Sequence, residues 1–411
     1  GQLPSEYSYS IAGQLSWVNL LYEILSEAII LPLFYFIGQV GQDKSALSNR
    51  VRTGLIVTFA VFAVLSALII SFANSLLRWM AADDSILSAS VAYIRIESVA
   101  SIFSMMANFG LVVLVTLNKE KYVYIITGAK VLLCILADTF LVSTLPFSAN
   151  LGVNGIGVSN IIVNVLLLGV TIGILYKEGI RVFTKEKLEF AWMREFGKIG
   201  GISGLESLVR NLAYMLMVVR MVNVVNEQGT YWVANNFIWG WLLLPVTQLA
   251  ELIKRDVAAD KKAIEEKTLG YFFITFIICV VWCVSIPLWK PFMANVLQYS
   301  DADKLFSLVL ILLGFYALYA FQNVFDSTFY GLGKTHYMAF ESIATNGIYY
   351  VGAFILYITG VWVPTLTGIA LLFGIGMAFD SVVSFGAYWF LLKKNGWNLL
   401  RISSEERKDE Q

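Results

Sequence analysis

Eleven predominantly apolar stretches run along the chain, at roughly 11–38, 53–77, 88–117, 122–145, 153–176, 199–224, 231–253, 268–289, 305–330, 336–359 and 363–392. A helix needs about 20 such residues to cross the hydrocarbon core of a bilayer. The pattern therefore predicts eleven spans and an all-α polytopic membrane protein. The first stretch is not a signal peptide, because it lacks a basic leading region and carries Glu23 and Glu27 where such a segment would be apolar.

The polar positions between the stretches are sorted by charge. Taking alternate loops from the one after the first span, 22 Lys and Arg fall on one side; the other side holds Arg78, Lys290 and Lys304. By the positive-inside rule the C-terminus is cytoplasmic and residues 1–10 lie outside. Composition agrees. The 411 residues are 58% apolar and 14% charged, with a mean hydropathy of +0.71. Soluble proteins average about 45–50% apolar and about 25% charged. A soluble enzyme, a disordered chain and a nucleic-acid binder are all poor descriptions. Lys and Arg total 29, as do Asp and Glu, so the net charge of zero hides this segregation. Three cysteines make no disulfide framework. Cys279 and Cys283 lie one turn apart and are expected to pack as small apolar groups.

The chain repeats itself. Gln42-Asp43-Lys44-Ser45-Ala46 resembles Ala259-Asp260-Lys261-Lys262-Ala263, and Leu117-Asn118-Lys119-Glu120-Lys121-Tyr122 resembles Leu332-Gly333-Lys334-Thr335-His336-Tyr337. Pro32 and Pro245 precede the first pair of loops at matching places. Repeats of one orientation each contain an even number of spans. The second half shows six and the first five, so one N-terminal helix is expected to be absent from this chain, which begins at Gly1 rather than Met. The predicted organisation is an N-terminal lobe at 1–176, a basic amphipathic linker at 177–198, a C-terminal lobe at 199–395 and a cytoplasmic tail at 396–411. The linker carries Phe190, Trp192 and Phe196 and is expected on the cytoplasmic membrane surface.

The Gly41-Gln42-Asp43-Lys44 loop, the Leu151-Gly152-Val153-Asn154-Gly155-Ile156-Gly157 run and the Tyr330-Gly331-Leu332-Gly333-Lys334-Thr335 turn together resemble the multidrug and toxic compound extrusion (MATE) transporters. Their superfamily also includes flippases of polysaccharide and lipid-linked substrates. The resemblance spans residues 11–395. It implies two six-helix lobes related by a pseudo-two-fold axis, here with the first helix absent. It also implies a cation or proton site in the N-terminal lobe, built on an Asn-x-x-x-Asp pattern in the fifth helix. Here that pattern reads Cys134-Ile135-Leu136-Ala137-Asp138, with the acid kept and the amide replaced. The family's hydroxyl on the sixth helix corresponds to Asn160. The cysteine weakens a sodium site, since sodium favours hard oxygen ligands, and leaves protonation of Asp138 as the simpler chemistry.

Ionisable groups inside the spans are expensive in hydrocarbon and are candidates for function. The acids are Glu23, Glu27, Glu97, Asp138, Glu206, Asp326, Glu341 and Asp380; the bases are Arg95, Lys130, Arg210 and Arg220. Glu23 and Glu27 share a helix face, where like charges tend to share a proton. Glu206 and Arg210 stand at i and i+4, which allows an intrahelical salt bridge or a competition for substrate. Glu97 is two residues from Arg95 near the outer surface, so the two need separate partners. Asp326 and Glu341 fall near cytoplasmic helix ends, and Asp380 shares a face with Ser384. The expected ion-coupling set is Asp138, Asn160, Glu23, Glu27 and Glu206. The expected substrate set is Glu206, Arg210, Tyr214, Asn235 and Asp380. Most intramembrane amides are expected to hold helices together.

Gly331-Leu332-Gly333-Lys334-Thr335 looks like part of a phosphate loop, but Thr328 stands where the first glycine belongs and no βαβ context exists. The single histidine, His336, leaves no basis for a histidine triad or multi-histidine metal site. The expected protein is not an enzyme. It is a monomeric, prokaryotic, inner-membrane efflux antiporter of amphipathic, cationic small organic compounds, contacting membrane lipids and no nucleic acid. It needs no cofactor beyond a coupling proton or sodium ion. The alternative is a flippase of a lipid-linked or polar lipid substrate, which would need a basic cavity. A major-facilitator porter would show an Asp-Arg-x-Gly-Arg loop, which 39–52 lacks.

Overall fold

A computed structural model describes residues 7–399 apart from Gln42, Asn118 and Thr335. The expected external segment before residue 7 and the tail beyond 399 lie outside the described residues, as does the Glu206 side chain. No strand occurs among the described residues. Among the described residues, eight helices are long and apolar enough to cross a membrane, or nine if a bent pair is one span. The other two apolar stretches are also helical, as Leu15–Gly38 and as a helix over 336–358 interrupted by a π turn.

The chain divides into two compact units, 2–229 and 230–411. The first contains α1 (Leu15–Gly38), α2 (Lys44–Trp79), α3 (Asp84–Thr116), α4 (Glu120–Leu141), α5 (Val153–Lys177) and α6 (Met193–Val224). Its starts are written in the sequence. Asp43 caps α2 by accepting from the Ser45 and Ala46 amides, and Asp83 caps α3 by accepting from Ser85. Its faces are inverted relative to a soluble bundle. On α2, Phe62, Ile69, Ala73 and Leu77 are buried while Phe59, Val64, Leu68 and Phe72 are exposed. An apolar outer face suits lipid, so both faces are hydrophobic. Outside the spans, Lys119 Nζ donates to Glu178 at 2.7 Å, and this hydrogen bond holds the Glu178 carboxyl below the usual carboxylate range.

The repeat assigns the 199–224 span to the second half, yet α6 packs along α1 within the first unit. The reason is a pair of small residues one turn apart. A Cβ on Gly200 would overlap the Ala28 carbonyl, and one on Gly204 would come within 2.8 Å of Ala28 Cβ. Close backbone approach through glycines is a general way for helices to associate in lipid. Gly200→Leu is expected to destabilise the protein by about 1–3 kcal/mol. Thermal unfolding in detergent measures this, and an unchanged midpoint would rule out the tight α1–α6 contact.

The linker expectation also changes. Phe190 is exposed, but Trp192 and Phe196 join the core and both pack against Phe36. The Trp192 indole donates to Thr53 Oγ1 at 3.1 Å. A partly buried, hydrogen-bonded indole is better satisfied there than against acyl chains.

The second unit contains α7 (Gln228–Leu242), whose first turn straddles the boundary, then α8 (Leu244–Ala259), α9 (Ala263–Val296) and α10 (Ala302–Gly331). It ends with α11, the interrupted helix at 336–358, and α12 (Leu366–Asn395). α7 and α8 form the bent pair, at 50°. Pro245 lies in the first turn of α8, and the Leu242 carbonyl at the break accepts from the Trp282 indole at 3.1 Å. Pro32, its repeat counterpart, sits inside the single helix α1. The repeated loops do matching work, since Asp260 accepts from the Lys262 amide much as Asp43 does from Ser45. The phosphate-loop lookalike is a helix terminus. Gly333 has φ +66°, and the Lys334 amide returns to the Phe329 carbonyl. The cysteines are free: Cys279 is half-buried and Cys283 exposed.

Candidate functional site

The first unit encloses a polar cavity of about 430 Å3. Glu23, Glu97, Lys130, Asn160, Asn164 and Tyr22 are among its lining residues. Glu97 is 5% exposed and accepts a hydrogen bond from Asn160 Nδ2 at 2.7 Å. Local sequence brings the two together. The Gly152-to-Gly157 run starts α5, and a Cβ on Gly157 would stand 2.7 Å from Ile96 Cγ2 and 3.6 Å from Glu97 Cγ. The missing side chain lets α5 press onto α3, with Asn160 one turn further along. Asp138 on α4 lies beside Ser159 and within electrostatic range of Glu97. Tyr22 closes another wall; its hydroxyl shares a 2.7 Å hydrogen bond with Ser66 and its ring stacks on Phe62.

Arg210 reaches from α6 to α1. Its Nη2 lies 2.5 Å from Glu27 Oε1 and 3.6 Å from Glu23 Oε1. A guanidinium between two carboxylates offsets the repulsion that their shared helix face creates. The side chains are partly exposed, at 40% for Arg210, 47% for Glu23 and 27% for Glu27. Glu23 thus belongs both to the ion cluster and to the cavity wall.

The second unit holds a separate acidic network. Asp380 on α12 accepts from Gln322 Nε2 and from Thr345 Oγ1, each at 2.6 Å. Asp326 on α10 accepts from Ser384 Oγ at 2.7 Å and from Gln322 Nε2 at 3.2 Å. Ser381 Oγ donates to Gln322 Oε1 at 2.7 Å. Glu341 on α11 is 2% exposed, and its Oε1 has no hydrogen-bond partner among the described residues. Two carboxylates and one glutamine therefore tie α10 to α12, and Thr345 joins α11 to them.

The MatE family model matches residues 38–140. No protein of curated function matches the chain. Among solved structures, an inward-facing multidrug resistance MATE family transporter of the MOP superfamily superposes with a TM-score of 0.77 at 17% identity. That match covers 98% of this chain and 97% of the other. An outward-facing multidrug resistance MATE family transporter gives 0.69 at 18% identity, covering 94% and 88%. A MOP superfamily transporter from Pyrococcus furiosus, described as having a binding pocket of reverse polarity and a different function, gives 0.65 at 17% identity, covering 92% and 87%.

The chain has the MATE transporter fold.

Against this MATE fold, the expected site residues divide. Asn160, Asp138 and Glu23 gather around one cavity, while Glu27 turns to Arg210. Asn160 bonds Glu97 rather than Asp138. Arg210 binds the α1 acids, so the described part of the expected Glu206–Arg210 pair has partners on another helix. Tyr214 packs against the core of the first unit. Asn235 is half-buried on α7, and Asp380 lies in the network of the second unit, so neither lines the polar cavity. Ser384, expected beside Asp380, serves Asp326.

Glu97 is the residue that sequence reasoning underrated. α3 begins at Asp84, so Glu97 stands about 20 Å along the helix at 1.5 Å per residue. Arg95 made the position look interfacial. In fact Arg95 is exposed and donates to the Ile70 carbonyl, while Glu97 turns inward to Asn160. The usable signal was that residues two apart on a helix face different ways.

Proposed function

We propose that this protein is a secondary active efflux transporter, exchanging amphipathic organic cations for protons or sodium ions by alternating access. The observation that carries this reading is the polar cavity, where Glu23 and Glu97 outnumber Lys130. An acidic excess in a low-dielectric cavity favours a cationic ligand. Similar folds solved in inward- and outward-facing states support the alternating-access part. The coupling group we propose is Glu97, held by Asn160 with Asp138 nearby. A carboxylate can take up an ion from one side and release it to the other, which couples movement to a gradient without a cofactor. The charge asymmetry of the loops supports a cytoplasmic C-terminus.

The test uses the full chain in proteoliposomes loaded with a fluorescent organic cation. An inward proton or sodium gradient should drive the cation out, and the effective gradient names the coupling ion. Efflux indifferent to both gradients would overturn the antiport reading. Neutralising Glu23, Glu27, Glu206 and Asp138 singly then separates the coupling set. Normal transport in all four variants would remove these residues from it.

A further inference from the structure

We propose that the first unit carries a binding site for an anionic phospholipid, at the basic end of α2 under the 178–192 linker. This inference does not depend on the transport reading. A cavity of about 690 Å3 opens there, within the ~300–1,000 Å3 typical of ligand pockets. Its wall is divided by chemistry. Ile56 and Phe59 of α2 and Ile172 of α5 supply an apolar surface, with Ile56 and Phe59 nearly half exposed on the lipid-facing side. Arg52 and Lys185 supply the cationic end.

Arg52 is the observation that points to a ligand. Its side chain is 7% exposed. Nη2 donates to the linker carbonyls of Thr184 and Glu186, at 2.9 and 3.0 Å. Nη1 is buried and has no hydrogen-bond partner among the described residues. Among the described residues no carboxylate forms an ion pair with Arg52. A buried guanidinium arm without an acceptor is costly. A phosphate oxygen would satisfy it, and guanidinium matches phosphate in geometry and charge.

The apolar wall decides the source of that phosphate. A free anion would use Arg52 and Lys185 and leave Ile56, Phe59 and Ile172 uncovered. A phospholipid covers both parts, with the headgroup on the cations and a tail along the helices. Basic pockets at the cytoplasmic membrane level favour anionic lipids by charge. Because Arg52 also holds Thr184 and Glu186, the bound headgroup would sit directly against the linker backbone.

The experiment is native mass spectrometry of the full chain in detergent, titrated with dioleoyl phosphatidylglycerol or dioleoyl phosphatidylcholine. Phosphatidylglycerol is expected to bind about tenfold more tightly, the scale of a charged hydrogen bond. Arg52→Gln should reduce that preference to within about twofold while retaining residual phosphatidylcholine binding. Ile172→Trp, which fills the apolar part, should weaken both lipids. If Arg52→Gln does not fold, the exposed Lys185→Glu tests the same charge and should lower phosphatidylglycerol affinity alone. Equal binding of the two lipids to the unaltered chain would overturn the proposal. So would a preference that survives the charge-removing variant that folds, or inorganic phosphate displacing phosphatidylglycerol as effectively as more lipid does.

Discussion

Glu97→Gln is expected to leave the protein folded and to stop gradient-driven transport. The glutamine side chain has nearly the same shape, and its amide oxygen accepts from Asn160 Nδ2 as the carboxylate does at 2.7 Å. It cannot gain or lose a proton, and it carries no charge for a sodium ion or an organic cation. Efflux in proteoliposomes should fall at least about tenfold, corresponding to ~1.4 kcal/mol or more of lost coupling, while the unfolding midpoint in detergent stays near that of the unaltered protein. Asn160→Ala supplies the contrast. It removes a donor from a buried carboxylate and should cost about 1–3 kcal/mol of stability. Wild-type efflux in Glu97→Gln would move the coupling role to Asp138 or to the α1 acids.

The second large effect lies in the other unit, where two carboxylates of one network should respond very unequally. Asp380→Ala removes the acceptor for both Gln322 Nε2 and Thr345 Oγ1. Two donors are then left without that partner between α10, α11 and α12. Gln322 Nε2 keeps Asp326, so at about 1–3 kcal/mol for an unsatisfied buried donor the loss should be ~1–4 kcal/mol. Glu341→Gln should change stability by no more than about 1 kcal/mol in either direction. Its Oε1 already lacks a partner among the described residues, and the amide has nearly the same shape as the carboxyl, so little is lost. Thermal unfolding of the two variants side by side decides the matter. Equal losses would mean that the network is not organised around Asp380.

The same two networks mark the limits of reading a sequence of this kind. Hydrophobic runs of about 20 residues are a local property, and bilayer thickness converts them directly into helices. The turn-forming aspartates are local too, since Asp43 and Asp260 each accept from the amide two residues on in loops that lead into helices. The intramembrane acids were all visible as a list. Their pairing was not, because it depends on helix rotation and close approach. Asp380 and Ser384 are four apart on one helix, yet Ser384 turns to Asp326 on α10. Glu23 and Glu27 looked like a self-contained pair until α6 brought Arg210 between them.

The sequence by itself therefore determined that this is a helical, multi-pass chain with one basic face, an internal repeat and a core supply of carboxylates. Each of these follows from composition and from the order of residues along the chain. Only the tertiary structure decided that α6 lies along α1, that Asn160 serves Glu97, and that Arg52 keeps one buried arm free. Those outcomes turn on where glycines such as Gly157, Gly200 and Gly204 let backbones meet. A missing Cβ does nothing along its own helix; it acts on whichever helix arrives from elsewhere in the chain.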